Sequence, residues 1–83
     1  PLPLPLPLPP DEDPAFAALR AWRRGEADAE GVPPYVVAHD ATLRAIAAAR
    51  PRTRDALLAV KGMGPKRVEK YGDAILSVLE KLP

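Results

Sequence analysis

Prolines and glycines divide this 83-residue chain into short segments and limit the secondary structure that each segment can form. Proline lacks an N–H and has a fixed φ, so it starts or ends a helix and disrupts a helix interior. Between these breaks, apolar residues recur every three or four positions, and no stretch alternates with period two. The chain is therefore predicted to be all-α, a compact five-helix bundle with a Pro-rich N-terminal leader.

The leader reads PLPLPLPLPP at 1–10 and favours polyproline II, which rises about 3 Å per residue. Residues 1–12 are predicted to be a linker, and residues 13–83 the helical domain. A semi-rigid spacer is the expected role of the leader, and a ligand for a proline-binding module is the alternative. The chain begins at Pro1 rather than Met, so we expect it to be a piece of a longer protein.

Caps and helix breakers predict the first two helices. Asp13 can cap the first helix, Pro14 suits its first turn, and Gly31 can end it. Pro33 and Pro34 then open a second helix of about one turn. The first helix carries its apolar face on Phe16, Leu19 and Trp22.

The remaining three helices are predicted in the same way. Asp40 is a plausible cap for the third, and Arg50, which precedes a proline, ends it. Thr53 can cap the fourth helix, and Gly62 is predicted to stop it. The last helix starts at the Gly64 turn and is predicted to be the longest. The inward-facing residues are predicted to be Leu43, Ile46 and Ala47, then Leu57, Leu58 and Val60, then Val68, Tyr71, Ile75, Val78, Leu79 and Leu82.

Gly72 lies inside the last predicted helix, where glycine costs about 1 kcal/mol relative to alanine. A neighbouring backbone packed close against it would explain why glycine is used there.

The charge distribution permits a nucleic-acid partner without requiring one. Three of the 11 acidic residues are Asp11, Glu12 and Asp13, so residues 14–83 carry 12 basic against 8 acidic residues, a net +4. The chain has no cysteine, which excludes disulfides and thiolate zinc sites and fits a reducing compartment. No run approaches the roughly 18 apolar residues that span a bilayer. The chain is therefore predicted to be cytoplasmic and associated with the bacterial nucleoid.

No catalytic set is visible in the sequence. His39 is the single histidine, and the single serine, Ser77, has no base near it in sequence. Glu26, Asp28 and Glu30 would fan around a helix instead of converging on a metal ion. The chain is therefore predicted to have no enzymatic activity, cofactor or metal, and the isolated domain is expected to be a monomer.

The turn between the last two helices is the first candidate site. Its glycines allow positive φ and close approach of a ligand, and the free N–H groups that begin the last helix can hold a phosphate. The alternative is a tight turn whose glycines only permit chain reversal. The residues predicted to contact nucleic acid here are Lys61, Gly62, Met63, Gly64, Lys66, Arg67 and Lys70.

Tyr35 is the second candidate, because it follows two prolines on a one-turn helix and is hard to bury fully. An exposed aromatic ring near basic residues stacks on unpaired bases. The alternative is a half-buried tyrosine that closes the core. Arg44 is predicted to extend the basic surface, as are Arg50, Arg52 and Arg54, although each of them is also consistent with an ordinary surface charge.

In order and spacing, several short motifs together resemble the HRDC (helicase and RNase D C-terminal) family, over nearly all of residues 14–83. The resemblance implies a five-helix bundle that serves as an accessory module of RecQ-type DNA helicases, of RNase D-type ribonucleases or of other bacterial helicases. It also implies that Tyr35 and nearby basic residues form the surface that binds single-stranded or partly unwound DNA. The motifs are LRAWR at 19–23, GVPPYVV at 31–37, DATL at 40–43, RP at 50–51, GMG at 62–64 and KYG at 70–72.

One stretch departs from the family pattern. Residues 25–30 read GEADAE, where apolar or basic residues are more usual in the family. An acidic face of Glu26, Asp28 and Glu30 would repel phosphate and could instead meet a basic surface of the parent protein. The sequence therefore leaves open a regulatory interaction domain with weak or no DNA binding, and an RNA-engaging module of a ribonuclease.

Overall fold

The computed structural model describes residues 13–82, and within them it is all-α. The predicted all-α five-helix fold is confirmed, whereas the predicted linker at 1–12 lies outside the described residues. The helices are α1 (Pro14–Glu30), α2 (Pro34–Val37), α3 (Asp40–Ala49), α4 (Arg54–Leu58) and α5 (Pro65–Glu80).

Local backbone and capping chemistry sets several of the helix ends, as the sequence predicts. The Asp13 carboxylate accepts a hydrogen bond from the N–H of Ala15 (2.9 Å), and the Thr53 hydroxyl accepts one from the N–H of Ala56 (3.1 Å). Gly31 ends α1 in the left-handed region, at φ 70°. Arg50 ends α3 at φ 48°, consistent with the exclusion of the α region before a proline.

Three predicted details of the helices are wrong. His39, not Asp40, is the N-cap residue of α3, and Asp40 is the first helical residue, where its carboxylate is drawn to Arg23 instead (2.6 Å). Helix α4 ends at Leu58 and not at Gly62, because the chain turns early to bury residues of the following loop. Helix α1, with 17 residues, is longer than α5, with 16, because the acidic stretch remains helical.

Helix α1 is central and contacts α2, α3 and α5, while α4 packs on α5. Trp22 is half-buried and meets Tyr71 edge to face, with ring centroids 5.5 Å apart. Leu58 was expected inside but is 43% exposed, because it lies about 100° around α4 from Leu57, which is fully buried. The fully buried larger side chains are Phe16, Leu19, Val37, Leu43, Ile46, Leu57 and Ile75.

Gly72 is buried, but the predicted reason for it is wrong. A Cβ atom added there would lie 3.4 Å from Val68 Cγ1 and 3.7 Å from Leu57 Cδ2. These atoms belong to side chains at ordinary contact distances, so no neighbouring backbone demands a glycine at this position.

Candidate nucleic-acid interface

The turn between α4 and α5 needs one of its two glycines. Gly62 has φ 94°, and a Cβ added there would overlap the Thr42 hydroxyl and lie 3.2 Å from Thr42 Cβ. Gly64 has an extended φ of −89°, and an added Cβ would meet no atom within 4 Å. Gly62 thus serves the chain reversal, while Gly64 leaves open space at the start of α5.

Met63 corrects the predicted set of binding residues. It is only 5% exposed and belongs to the hydrophobic core, and its N–H donates to the carbonyl of Val60 (3.1 Å). The turn folds back on the bundle and buries its one large apolar side chain. The Met63 side chain is therefore unavailable to a ligand.

The basic residues of the turn differ in their surroundings. Lys61 and Lys66 are exposed and make no ion pair among residues 13–82. Arg67 is half-buried, and its Nε donates to the carbonyl of Val37 (3.2 Å) while its Nη1 reaches the carbonyl of Gly62 (3.5 Å). Arg67 thus joins the end of α2 to the turn, which brings the two predicted binding elements side by side.

Lys70 and Glu30 form an ion pair with each other. Lys70 is therefore removed from the predicted basic turn, and Glu30 from the predicted acidic face. Lys70 Nζ lies 2.7 Å from Glu30 Oε1, and the Tyr71 hydroxyl donates to Glu30 Oε2, also at 2.7 Å. The hydrogen bonds from Lys70 and Tyr71 lower the pKa of Glu30, and the carboxylate in turn raises the pKa of Lys70. The expected acidic face is therefore reduced to Glu26, which is half-buried, and Asp28, which is exposed.

Tyr35 is 61% exposed, so the alternative in which it closes the core is wrong. Val37 is the buried residue of the one-turn helix α2, and it anchors the helix while leaving Tyr35 at the surface. The Tyr35 ring is stacked with the exposed His39 ring, with centroids 6.1 Å apart and planes 23° apart. No motif or spacing in the sequence predicts that these two rings pair.

Arg44 does not join the turn. Its guanidinium lies 5.3 Å from the centroid of Phe16, and that of Arg20 lies 5.6 Å from the same ring. Thr42 faces Gly62, and Arg44, two positions further along α3, is rotated by about 200°. Arg44 therefore belongs to the side of the bundle where α1 meets α3.

The other arginines expected to extend the basic surface are scattered. Arg50 pairs with Asp13 at 3.5 Å, and Arg54 pairs with Asp73 at 2.8 Å, which lowers the pKa of Asp73. Arg52 is exposed. The described part of the chain thus has no single continuous basic face made of these residues.

Arg23 is a structural contact that the sequence analysis missed. Its side chain is 12% exposed, and Nη1 donates to the carbonyl of Ala38 (3.0 Å) and pairs with Asp40, whose pKa it lowers. Arg23 therefore holds the backbone between α2 and α3. A groove of about 430 Å³ lies beside it, lined by Ala17, Arg20, Ala21, Arg23, Arg24 and Pro34.

Two further kinds of site are absent from residues 13–82. Over that range no three His, Cys, Asp or Glu side chains are grouped so that they could hold a metal ion. None of the helices there is long and apolar enough to cross a membrane.

Comparison with known proteins shows what this bundle is similar to. The family model for the HRDC domain matches residues 12–79. The ATP-dependent DNA helicase RecQ of Bacillus subtilis is 37% identical over 70 residues, which are 84% of this chain and 12% of the helicase. RecQ of Pasteurella multocida is 35% identical over 80% of this chain, which corresponds to 10% of the length of that helicase. The ATP-dependent DNA helicase UvrD2 of Mycobacterium tuberculosis is 41% identical over 74% of this chain, which corresponds to 9% of the length of that helicase.

A solved structure agrees with these sequence matches. HRDC domain 3 of D. radiodurans RecQ superposes with a TM-score of 0.78 at 41% identity, covering 84% of this chain and 91% of that one. The chain spans about a tenth of the length of the curated relatives it matches. Its family match and its fold together establish that the chain belongs to the HRDC family, the non-catalytic accessory domains of RecQ-type helicases.

Proposed function

We propose that this HRDC domain binds single-stranded DNA weakly and without sequence readout, and so tunes how firmly its parent protein holds partly unwound DNA. The observation that carries the proposal is Tyr35, which is 61% exposed on a helix tied by Arg67 to the basic turn. Stacking of one base on an aromatic ring is worth about 1–3 kcal/mol and tolerates any sequence, because every base has a π-face.

Phosphate contacts would come from the neighbouring turn. Lys61 and Lys66 are exposed, and the Arg67 guanidinium bonds only carbonyl oxygens among the described residues, so its charge is not neutralised by a carboxylate. The open space over Gly64 lets a backbone approach the first N–H groups of α5. Few charges take part, so we expect weak binding that falls as the salt concentration rises.

The relatives favour DNA as the ligand. Those reported above are named as DNA helicases, and we propose that the whole protein is an ATP-dependent helicase of RecQ type in which this chain is an accessory domain. An RNA-engaging module of a ribonuclease is the alternative that these names disfavour. A regulatory acidic face is also disfavoured, because Glu30 is engaged by Lys70 and Tyr71.

Fluorescence anisotropy with a labelled oligonucleotide of thymidines, at low salt, tests the proposal. Tyr35→Ala should weaken binding by about fivefold or more through the loss of one stacked base. Lys66→Ala should also weaken binding, and it should reduce the slope of log affinity against log salt by about 0.7 for each lost phosphate contact.

Lys81→Ala is the matched control, because it removes the same charge 15 residues, or about 22 Å, further along α5. It should leave both the affinity and its salt dependence unchanged. The proposal is wrong if the unsubstituted chain shows no binding at high micromolar concentration. It is also wrong if Tyr35→Ala and Lys66→Ala both bind as the unsubstituted chain does.

A further inference from the structure

We infer that His39 and Tyr35 together form a platform of two rings that takes two unpaired bases of a single strand. This inference rests on the proposed function and adds a second base-stacking residue to it. The two rings are stacked 6.1 Å apart, centroid to centroid, with planes only 23° apart, and both residues are exposed. Two nearly parallel rings present two outer faces, and each face can accept one base.

Among residues 13–82, the His39 side chain makes no hydrogen bond or ion pair that would explain its presence. It occupies the N-cap position of α3, yet its side chain makes no capping hydrogen bond. Ser, Thr, Asn or Asp at that position would satisfy a free N–H of the helix, so histidine forgoes a stabilising contact there. Its ring instead lies against Tyr35, which is consistent with a role at the surface.

Two arginines hold the backbone that carries the platform. Arg23 from α1 donates to the carbonyl of Ala38 at 3.0 Å, and Arg67 from α5 donates to the carbonyl of Val37 at 3.2 Å. Each therefore bonds a residue between Tyr35 and His39, and they reach it from different helices. A platform fixed before binding loses little conformational freedom when a base arrives, which favours affinity.

The platform selects the class of ligand. In a duplex, both faces of each base are covered by its neighbours, so two exposed rings gain stacking only from bases that have left the stack. Arg67 bonds the carbonyl of Val37, two residues after Tyr35, so its positive charge can attract the phosphates that flank such bases. We therefore expect the platform to discriminate base-bearing single strands from both duplex DNA and a bare sugar–phosphate backbone.

The test compares an oligonucleotide of thymidines with an abasic oligonucleotide of the same length, by anisotropy on the complete 83-residue chain. The unsubstituted chain should bind the thymidine strand more tightly than the abasic strand. His39→Ala should reduce this preference by about fivefold or more, as should Tyr35→Ala. His39→Phe keeps a ring at the same position and should retain the preference.

Lys66→Ala is the control for charge. It should weaken the binding of both strands by the same factor and leave the ratio of their affinities unchanged. Circular dichroism of each variant checks that the bundle is intact. An unchanged ratio in His39→Ala, together with a reduced ratio in Tyr35→Ala, would overturn this inference and leave the proposed function standing. Failure of the unsubstituted chain to bind either strand would overturn both.

Discussion

Replacement of Gly62 by alanine tests the geometry of the turn that separates α4 from α5. Gly62 has φ 94°, a conformation that costs an L-residue about 1–2 kcal/mol. The new methyl group would also overlap the Thr42 hydroxyl, and overpacking of this kind costs typically about 1–3 kcal/mol. We therefore expect Gly62→Ala to lower the free energy of unfolding by about 2–5 kcal/mol, a large share of a small domain's stability.

The two contributions can be separated by repeating the change in a Thr42→Ala background. That background lacks the hydroxyl and the Cγ2 methyl group but keeps the Cβ atom of residue 42, so Gly62→Ala should there cost little more than the backbone contribution of about 1–2 kcal/mol. The difference between the two costs is the coupling energy between residues 42 and 62. Urea denaturation of the four proteins, followed by circular dichroism, measures all the required free energies.

Gly25→Ala is the matched control for the same chemical change. Gly25 is exposed inside α1, and a Cβ added there meets no atom within 4 Å, so the variant should gain up to about 1 kcal/mol of stability. Equal costs of Gly62→Ala in the two Thr42 backgrounds would refute the contact between these residues. A Gly62→Ala variant as stable as the parent would refute the whole account of the turn.

Two further predictions concern carboxylates that bond side chains of other helices. Tyr71→Phe removes the hydroxyl that donates to Glu30, which should cost about 1–2 kcal/mol in urea denaturation, and an unchanged midpoint would contradict the hydrogen bond. The partners of Glu30, Asp40 and Asp73 lower the pKa values of these three carboxylates. The charged carboxylates therefore stabilise the fold fully at pH values above their ordinary pKa values, near 4. This stabilisation is lost as the pH falls through the lowered pKa values of the folded protein. At pH values below about 4, the melting temperature should therefore decrease, and it should decrease less steeply in Glu30→Gln. Parallel curves of melting temperature against pH for the two proteins would contradict the contribution of Glu30.

The helix ends could be predicted because their causes are local. Asp13, Thr53 and Gly31 each act on backbone groups within a few residues, so the cap and the helix it serves are read from the same short segment. The error at the start of α3 is a shift by one residue. Asp40 is equally favourable in the first turn of a helix, where its negative charge meets the positive end of the helix dipole.

The contacts that redraw the candidate site are long-range, and the sequence gives no sign of them. Glu30 lies 40 residues from Lys70, and Arg67 lies 30 residues from Val37. Whether a lysine faces solvent or a carboxylate depends on how α1 and α5 pack, which periodicity does not specify. Met63 was misjudged for a related reason, because flanking glycines indicate an exposed turn but do not show which side of it faces the core.

The central claim is that one surface, formed by α2 and the Gly62 turn, binds single-stranded DNA. Titration of a ¹⁵N-labelled chain with an oligonucleotide of thymidines tests it most directly, because the backbone amide signals report where the strand lies. We expect shifts concentrated at Tyr35, His39, Lys61, Lys66 and Arg67, with little change around Lys81, just after the opposite end of α5. Shifts confined to the Arg20 and Arg44 side of α1, or their absence at saturating DNA, would contradict it.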